Sequence, residues 1–316
     1  MPESRSLIAS VFPDRAVESA SASTAGNSKR TVAVWFEEED PVVLQYSTDS
    51  SLRTEGELAR AIRTRTAVPV PRVVEIGSHG ASSYIVSELA PGKNLHSRFA
   101  GLDREPQQRI ARQFGHYLAE IHDAFSFEGV GQVNSSMGPD GLQFHAAESD
   151  DFEGWFRRYA REGIEALPDP FDPVRGRLED AVLSWGYDSD WDPRLFPWDL
   201  RPGNALAMDG ELSAVLDWGD PLAAPPGLAV AKAQHLIADW YVEDTAPVRS
   251  AFRDGYESVR PYPTVPTVFS LVAVLRSAVD SHGVVTRPRY PEWTGEKAVA
   301  FHLDRLHDIL AEADED

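Results

Sequence analysis

Between residues 204 and 218 the chain reads NALAMDGELSAVLDW, with an Asp209-Gly210 pair between two apolar runs. An Asp-Gly pair in that setting is the strongest short-range signal for a two-residue β-hairpin, because both central residues of the turn need positive φ. With Asp209 and Gly210 at the turn, Met208 is expected opposite Glu211, Leu206 opposite Ser213 and Asn204 opposite Val215. Cross-strand partners share a face, and Asp217, two residues beyond Val215, returns to it. Asn204 and Asp217 are therefore expected to point the same way from one end of the hairpin. Asp199 lies five residues before Asn204 in PWDLRPGN, whose two prolines enforce an irregular loop beside that end. Two carboxylates and an amide converge there. Such an oxygen set suits Mg²⁺, which is held by one or two carboxylates together with substrate phosphates and water.

The first ninety residues read differently from the rest. Small residues cluster in Val17–Ser28 (VESASASTAGNS), which reads as a flexible loop. Thr31–Phe36 alternates Val32, Val34 and Phe36 on one face, Glu37–Asp40 makes a turn, and Pro41–Tyr46 is a second strand. From Leu52 to Ile62 the period changes: Glu55, Leu58, Ala59 and Ile62 fall on one helical stripe, so Glu55 is a carboxylate on an apolar face and requires a partner. VPVPRVVEIG (Val68–Gly77) reads as a helix stop and a short strand, and Ser83–Leu89 as another strand. That makes four strands and one helix. Beyond Leu95 strands mostly give way to helices, marked by Phe114, Leu118, Ile121 and Phe125, and by Ala229, Ala233, Leu236, Ile237, Trp240 and Tyr241.

Charge narrows the partners. The chain has 50 acidic and 30 basic residues, a formal charge of −20, and only four lysines, Lys29, Lys93, Lys232 and Lys297. An acidic surface disfavours nucleic acid and anionic membrane. Scarce lysine with arginine retained is the composition of proteins from salt-accumulating microbes, in which screening relieves self-repulsion. The chain has no cysteine, which points to a reducing compartment, and no apolar stretch of signal-peptide or membrane-spanning length; a cytoplasmic location is expected. Fingerprints for a phosphate-binding loop, a dinucleotide site, a zinc helix and a nucleophile elbow do not occur.

Asp199-x4-Asn204, a short hairpin and then Asp217-Trp218-Gly219 resemble the catalytic and metal-binding core of the aminoglycoside phosphotransferase and choline kinase-like enzymes, relatives of the protein kinases. The order of LRTEGEL, VPVPRV, SELAPGKNL and FGHYLAEIHDAF before that core fits the same family, over roughly residues 25 to 245. The resemblance implies an α+β, two-lobed, protein-kinase-like fold. Residues 1–90 would form a small antiparallel sheet lobe with one helix, and residues 91–316 a mainly helical lobe with the catalytic loop and acceptor site. It implies transfer of the γ-phosphoryl group of ATP to a hydroxyl of a small-molecule acceptor. Asp199 would take the proton of that hydroxyl, Asn204 and Asp217 would hold the metal, and the segment Glu88, Leu89 and Ala90 would meet the adenine. Asp239, Glu243 and Asp244 would face the acceptor. Gln45 stands where the family places the strand lysine that grips the phosphates and pairs with the helix glutamate, here Glu55. Lys29 or Arg30 could supply the missing cation. Pro197-Trp198 replaces the usual histidine-glycine before the catalytic aspartate, with rigidity and packing as its expected contribution.

Two other readings stay open at this level. Gln45 and Pro197 allow a catalytically silent relative that binds nucleotide or ligand for regulation. Asp199 and Asp217 can also be a turn residue and a cap in an unrelated acidic binding protein whose hairpin is only structural.

Overall fold

The computed structural model describes residues 2–22, 29–139, 141–147, 151–186 and 192–313. Helix α1 (Pro2–Val11) leads into strands β1 (Val17–Ala22), β2 (Arg30–Phe36) and β3 (Val42–Ser47), helix α2 (Ser51–Arg65), and strands β4 (Val73–His79) and β5 (Ser82–Glu88). The strands make one antiparallel five-stranded sheet in the order β1-β2-β3-β5-β4. Strand alternation gives the sheet two destinations. Val32, Val34, Phe36, Val42, Leu44 and Tyr46 pack against Leu7, Ile8 and Phe12 in and just after α1, while Thr31, Val43, Gln45 and Ile85 share a cavity with Glu55 and Gly56 of α2. Gly56 sets that approach: a Cβ there would stand 2.9 Å from Ile76 Cδ1 and 3.0 Å from Ile85 Cδ1.

One expectation fails here in part. Val17–Ala22 is an edge strand, not a loop; its small side chains are all exposed, so it carries no hydrophobic period, and backbone pairing with β2 alone defines it. Residues 23–28 of the same segment lie outside the described residues. With β1 and α1, the first ninety residues hold one strand and one helix more than periodicity indicates.

The remainder is mainly helical: β6 (Lys93–Asn94), α3 (Arg104–Ala124), β7 (Gly131–Gly138), β8 (Gly141–Ala146), α4 (Phe152–Ala166), α5 (Asp172–Ser184), β9 (Arg194–Phe196), β10 (Ala205–Met208), β11 (Glu211–Val215), β12 (Leu222–Ala224), α6 (Pro226–Gln234), α7 (Ala246–Glu257), α8 (Thr267–Leu275) and α9 (Glu296–Ala313). The hairpin β7–β8 is absent from the sequence reading because GQVNSSMG is mostly polar and carries no sustained apolar alternation, and β7 is held by β8 and β12. α3 buries Ile110, Ala111, Phe114, Leu118, Ala119 and Ile121 along one stripe. It crosses α7 closely where Gly115 meets the Phe252 carbonyl and Gly255 meets the Arg112 carbonyl; a Cβ at either glycine would lie 1.9 Å from that oxygen. One apolar cluster runs from Leu52, Ile62 and Ile85 through Phe114 and Phe156 to Trp218 and Val272, so sheet and helices share a core. Among the described residues no helix is long and apolar enough to cross a membrane.

Candidate active site

The Asp209-Gly210 turn forms as expected, with φ of 54° and 82°, both in the region a two-residue hairpin turn requires. The register does not hold beyond it. Met208 pairs with Glu211, but Ala207 then pairs with Leu212, Leu206 with Ala214 and Ala205 with Val215, so Ser213 is an extra residue in a bulge. Its hydroxyl donates to the Pro91 carbonyl at 2.7 Å, a tertiary contact invisible to strand periodicity. Asn204 is consequently not opposite Val215. It ends the 3-10 turn Pro202–Asn204, and its carbonyl accepts from the Leu216 amide at 2.8 Å.

The amide of Asn204 ties the loop together instead. Nδ2 donates to the Asp199 carbonyl at 3.0 Å and to Asp199 Oδ2 at 2.9 Å, and Arg201 Nε donates to the same carboxylate at 2.9 Å. Asp199 is thus oriented by two donors and remains about a quarter exposed. Asp217 lies just past β11 with φ 65°, a left-handed conformation that aspartate tolerates better than most residues. Asp199 and Asp217 line one cavity of about 110 Å³ with Lys29, Asp49, Glu55 and Asp220.

Lys29, and not Gln45, is the residue bonded to Glu55. Its ammonium donates to Glu55 and, at 2.9 Å, to Asp217 Oδ1. Burial alone would lower the lysine pKa; the carboxylates of Glu55 and Asp217 outweigh it and hold the pKa above its ordinary value. Gln45 reaches only Thr31 Oγ1, at 3.5 Å, and makes no bond to Glu55 among the described residues. Arg30 takes no part: it is exposed and shares the strand parity of Val32 and Val34, which face α1. Gly219 allows the approach of Glu55, since a Cβ there would lie 3.3 Å from Glu55 Oε2.

Next to these charges a cavity of about 200 Å³ lies between the sheet and the helical part, lined by Val43, Ile85, Leu206 and Trp218 and by the segment Glu88, Leu89 and Ala90. The Glu88 side chain itself turns to Arg72, 2.7 Å away.

A model of the phosphotransferase enzyme family matches residues 20–266, well over half of the chain. The chain belongs to the phosphotransferase enzyme family. No curated protein sequence matches it. Among solved structures, its fold is similar to that of the aminoglycoside phosphotransferase APH(4)-Ia, at 15% identity and a TM-score of 0.63 over 99% of this chain and 97% of that one. It is similar to aminoglycoside 2'-phosphotransferase-IIIa, described in its GDP complex, at 16% identity and 0.63 over 98% of each chain. The macrolide 2'-phosphotransferase MphH from Brachybacterium faecium is a third, at 17% identity and 0.59 over 88% and 91%. The fold is α+β and kinase-like, as the sequence indicates.

Where this member of the family departs from the usual motif, packing takes over. Trp198 stacks edge-on against Tyr159, with ring centres 5.9 Å apart, and Lys232 Nζ lies 3.3 Å from the Trp198 ring centre. Lys232 is 3% exposed, and burial drives its pKa well below the usual lysine range.

Of the three acids expected to face an acceptor, Asp239 is withdrawn into the core. Asp239 is 3% exposed and held by Arg249 at 2.6 Å, by Arg305 at 3.3 Å and by His235 at 3.1 Å. Burial would raise its carboxyl; His235 and Arg249 override that and hold it well below the carboxylate range. It is a structural ion-pair centre. Glu243 and Asp244 lie exposed a few residues beyond Asp239, Asp244 at 3.7 Å from Arg104, and neither lines the cavities at Asp199 or Trp198. Sequence reasoning missed Asp220, whose carboxyl is raised by burial and by neighbouring Asp217 and Asp49. Its place directly after Asp217-Trp218-Gly219 was the available signal.

Proposed function

We propose that the protein transfers the γ-phosphoryl group of ATP to a hydroxyl of a small molecule. The observation that carries this reading is the contact of Lys29 with both Glu55 and Asp217, which supplies the cation missing at Gln45 and removes the main reason for a silent relative. Asp199, oriented by Asn204 and Arg201, accepts the acceptor's proton as its oxygen bonds to the γ-phosphorus and the bond to the departing ADP breaks. Lys29 meets the phosphates, and Glu88, Leu89 and Ala90 border the base.

The donor set fits Mg²⁺. Both bonds of the Asn204 amide nitrogen go to Asp199, leaving Oδ1 as its free acceptor, and Asp217 adds a carboxylate. Mg²⁺ is commonly held by one or two protein carboxylates together with substrate phosphates and water. When bound, the ion would neutralise phosphate charge.

Thermal stabilisation by ATP that requires Mg²⁺, and ADP formation with hydroxylated acceptors that falls about 10²- to 10⁴-fold in Asp199→Asn, test the assignment. An Asp199→Asn variant that turns over like the parent would overturn it.

A further inference from the structure

On the helical side of the catalytic loop a cavity of about 580 Å³ opens beside Trp198 and Asp220. Arg276, the residue that follows α8, crosses it. Its stem lies on Gly163 of α4, where a Cβ would stand 2.7 Å from Arg276 Cδ. Its guanidinium sits 4.4 Å from the Tyr159 ring centre and 5.4 Å from that of Trp198. The glycine shelf and the two rings fix the arginine before any ligand arrives.

Among the described residues that charge has a hydrogen bond to Tyr159 and one loosely held carboxylate partner, and Asp280 and Asp220 also line the cavity. Glu162 is the ion-pair partner of Arg276, at 3.9 Å and 58% exposed. Asp280 Oδ1 is taken by the amides of His282 and Val284 at 2.8 and 3.0 Å. Asp220 stands at the other end, toward Asp217 and Lys29. A chain of charge −20 nonetheless places a fixed cation beside the ring of Trp198, the residue before Asp199. A planar guanidinium pairs bidentately with carboxylate or phosphate and repels an ammonium group.

We propose that the acceptor carries an oxyanion, carboxylate or phosphate, that Arg276 holds while a nearby hydroxyl is phosphorylated, so that polycationic aminoglycosides are poor acceptors. This rests on the phosphotransferase reading above. The oxyanion itself is unchanged: the hydroxyl oxygen bonds to the γ-phosphorus, ADP leaves, and the proton passes to Asp199.

The test compares gluconate and glucose 6-phosphate with glucose, glucosamine and kanamycin as acceptors for the full-length protein with MgATP. One of the two oxyanions is expected to exceed the neutral and cationic compounds by about tenfold or more in kcat/KM, and which one does so identifies the group. Arg276→Gln should erase that preference, Arg276→Lys should retain part of it, and Arg276→Glu should move it toward glucosamine, all with ATP-induced thermal stabilisation unchanged. If none is turned over, tryptophan emission reports binding, because Trp155 and Trp198 line the cavity. A saturable change with an oxyanion that Arg276→Gln abolishes supports the assignment. A wild-type preference for glucosamine or kanamycin, a ranking unmoved by Arg276→Gln, or no saturable response to either oxyanion overturns it. Failure of the wild-type chain to bind MgATP would instead overturn the kinase reading.

Discussion

Lys29 Nζ donates to Asp217 Oδ1 at 2.9 Å across 188 residues of sequence, and the same ammonium bonds Glu55 of α2. One cation thus joins the segment entering β2, the helix over the cleft and the segment after β11. Like-charged Glu55 and Asp217 share a single buried neutraliser, whose side chain is 11% exposed. Truncating it leaves a buried carboxylate without its partner, which is costly.

Lys29→Met should lower phosphoryl transfer by about 10²-fold or more and remove MgATP-induced thermal stabilisation. Gln45→Lys in that background should recover part of both, because Gln45 lines the same cavity as Glu55 and Asp217. Arg30→Ala should change neither. Unaltered ATP affinity in Lys29→Met would discard the assignment.

Asn204→Ala removes both the bonds to Asp199 and the proposed metal oxygen, whereas Asn204→Asp keeps an oxygen and loses the amide donor. A Mg²⁺ titration of the rate should therefore separate them. The alanine variant needs about tenfold more Mg²⁺ for half-maximal rate, and the aspartate variant loses rate with a smaller change in Mg²⁺ requirement. Identical titrations of the two would remove Asn204 from the metal site.

At the α3–α7 crossing, Gly115→Ala and Gly255→Ala each force a methyl group against a backbone carbonyl. Each should destabilise the fold by about 3 kcal/mol or more in urea unfolding, since neither helix can yield without repacking the core. Gly101→Ala, which meets nothing within 4 Å, is the control and should be near neutral.

His122, His235 and His302 are buried, and burial lowers the pKa of each, His302 to about 3. Their unfolded values stand near 6.5, so below that pH the unfolded chain binds more protons than the folded one. Stability therefore falls as pH drops from about 6.5 toward the folded values, by up to about 1.4 kcal/mol per pH unit for each histidine. Asp239, held low in the fold, contributes stability above its unfolded pKa and loses it only at stronger acid. His302→Gln should flatten the decline between about pH 6 and pH 4; a slope equal to that of the parent would refute this account.

A formal charge of −20 with four lysines predicts that the melting temperature rises from dilute buffer to about 1 M KCl, where the Debye length is about 3 Å. A melting temperature that stays level or falls over that range would contradict a halophilic reading.

Much of the architecture is carried by local signals. The alternation of Val32, Val34 and Phe36, the helical stripe through Glu55 and Ile62, and the positive φ demanded at Asp209 and Gly210 each depend on neighbours a few residues away, and each is read correctly from the chain alone. The spacing of Asp199, Asn204 and Asp217 is likewise written in the sequence, together with the need of Glu55 for a partner. Which cation answers that need is not, because Lys29 and Arg30 are adjacent and strand parity together with the packing of α1 turns only one of them toward the cleft. Nor is the bulge at Ser213, set by the Pro91 carbonyl, or the withdrawal of Asp239 into an ion-pair centre with Arg249 of α7 and Arg305 of α9. Those outcomes depend on charges and hydrogen-bonding groups brought together from distant segments, and chain folding alone sets those distances.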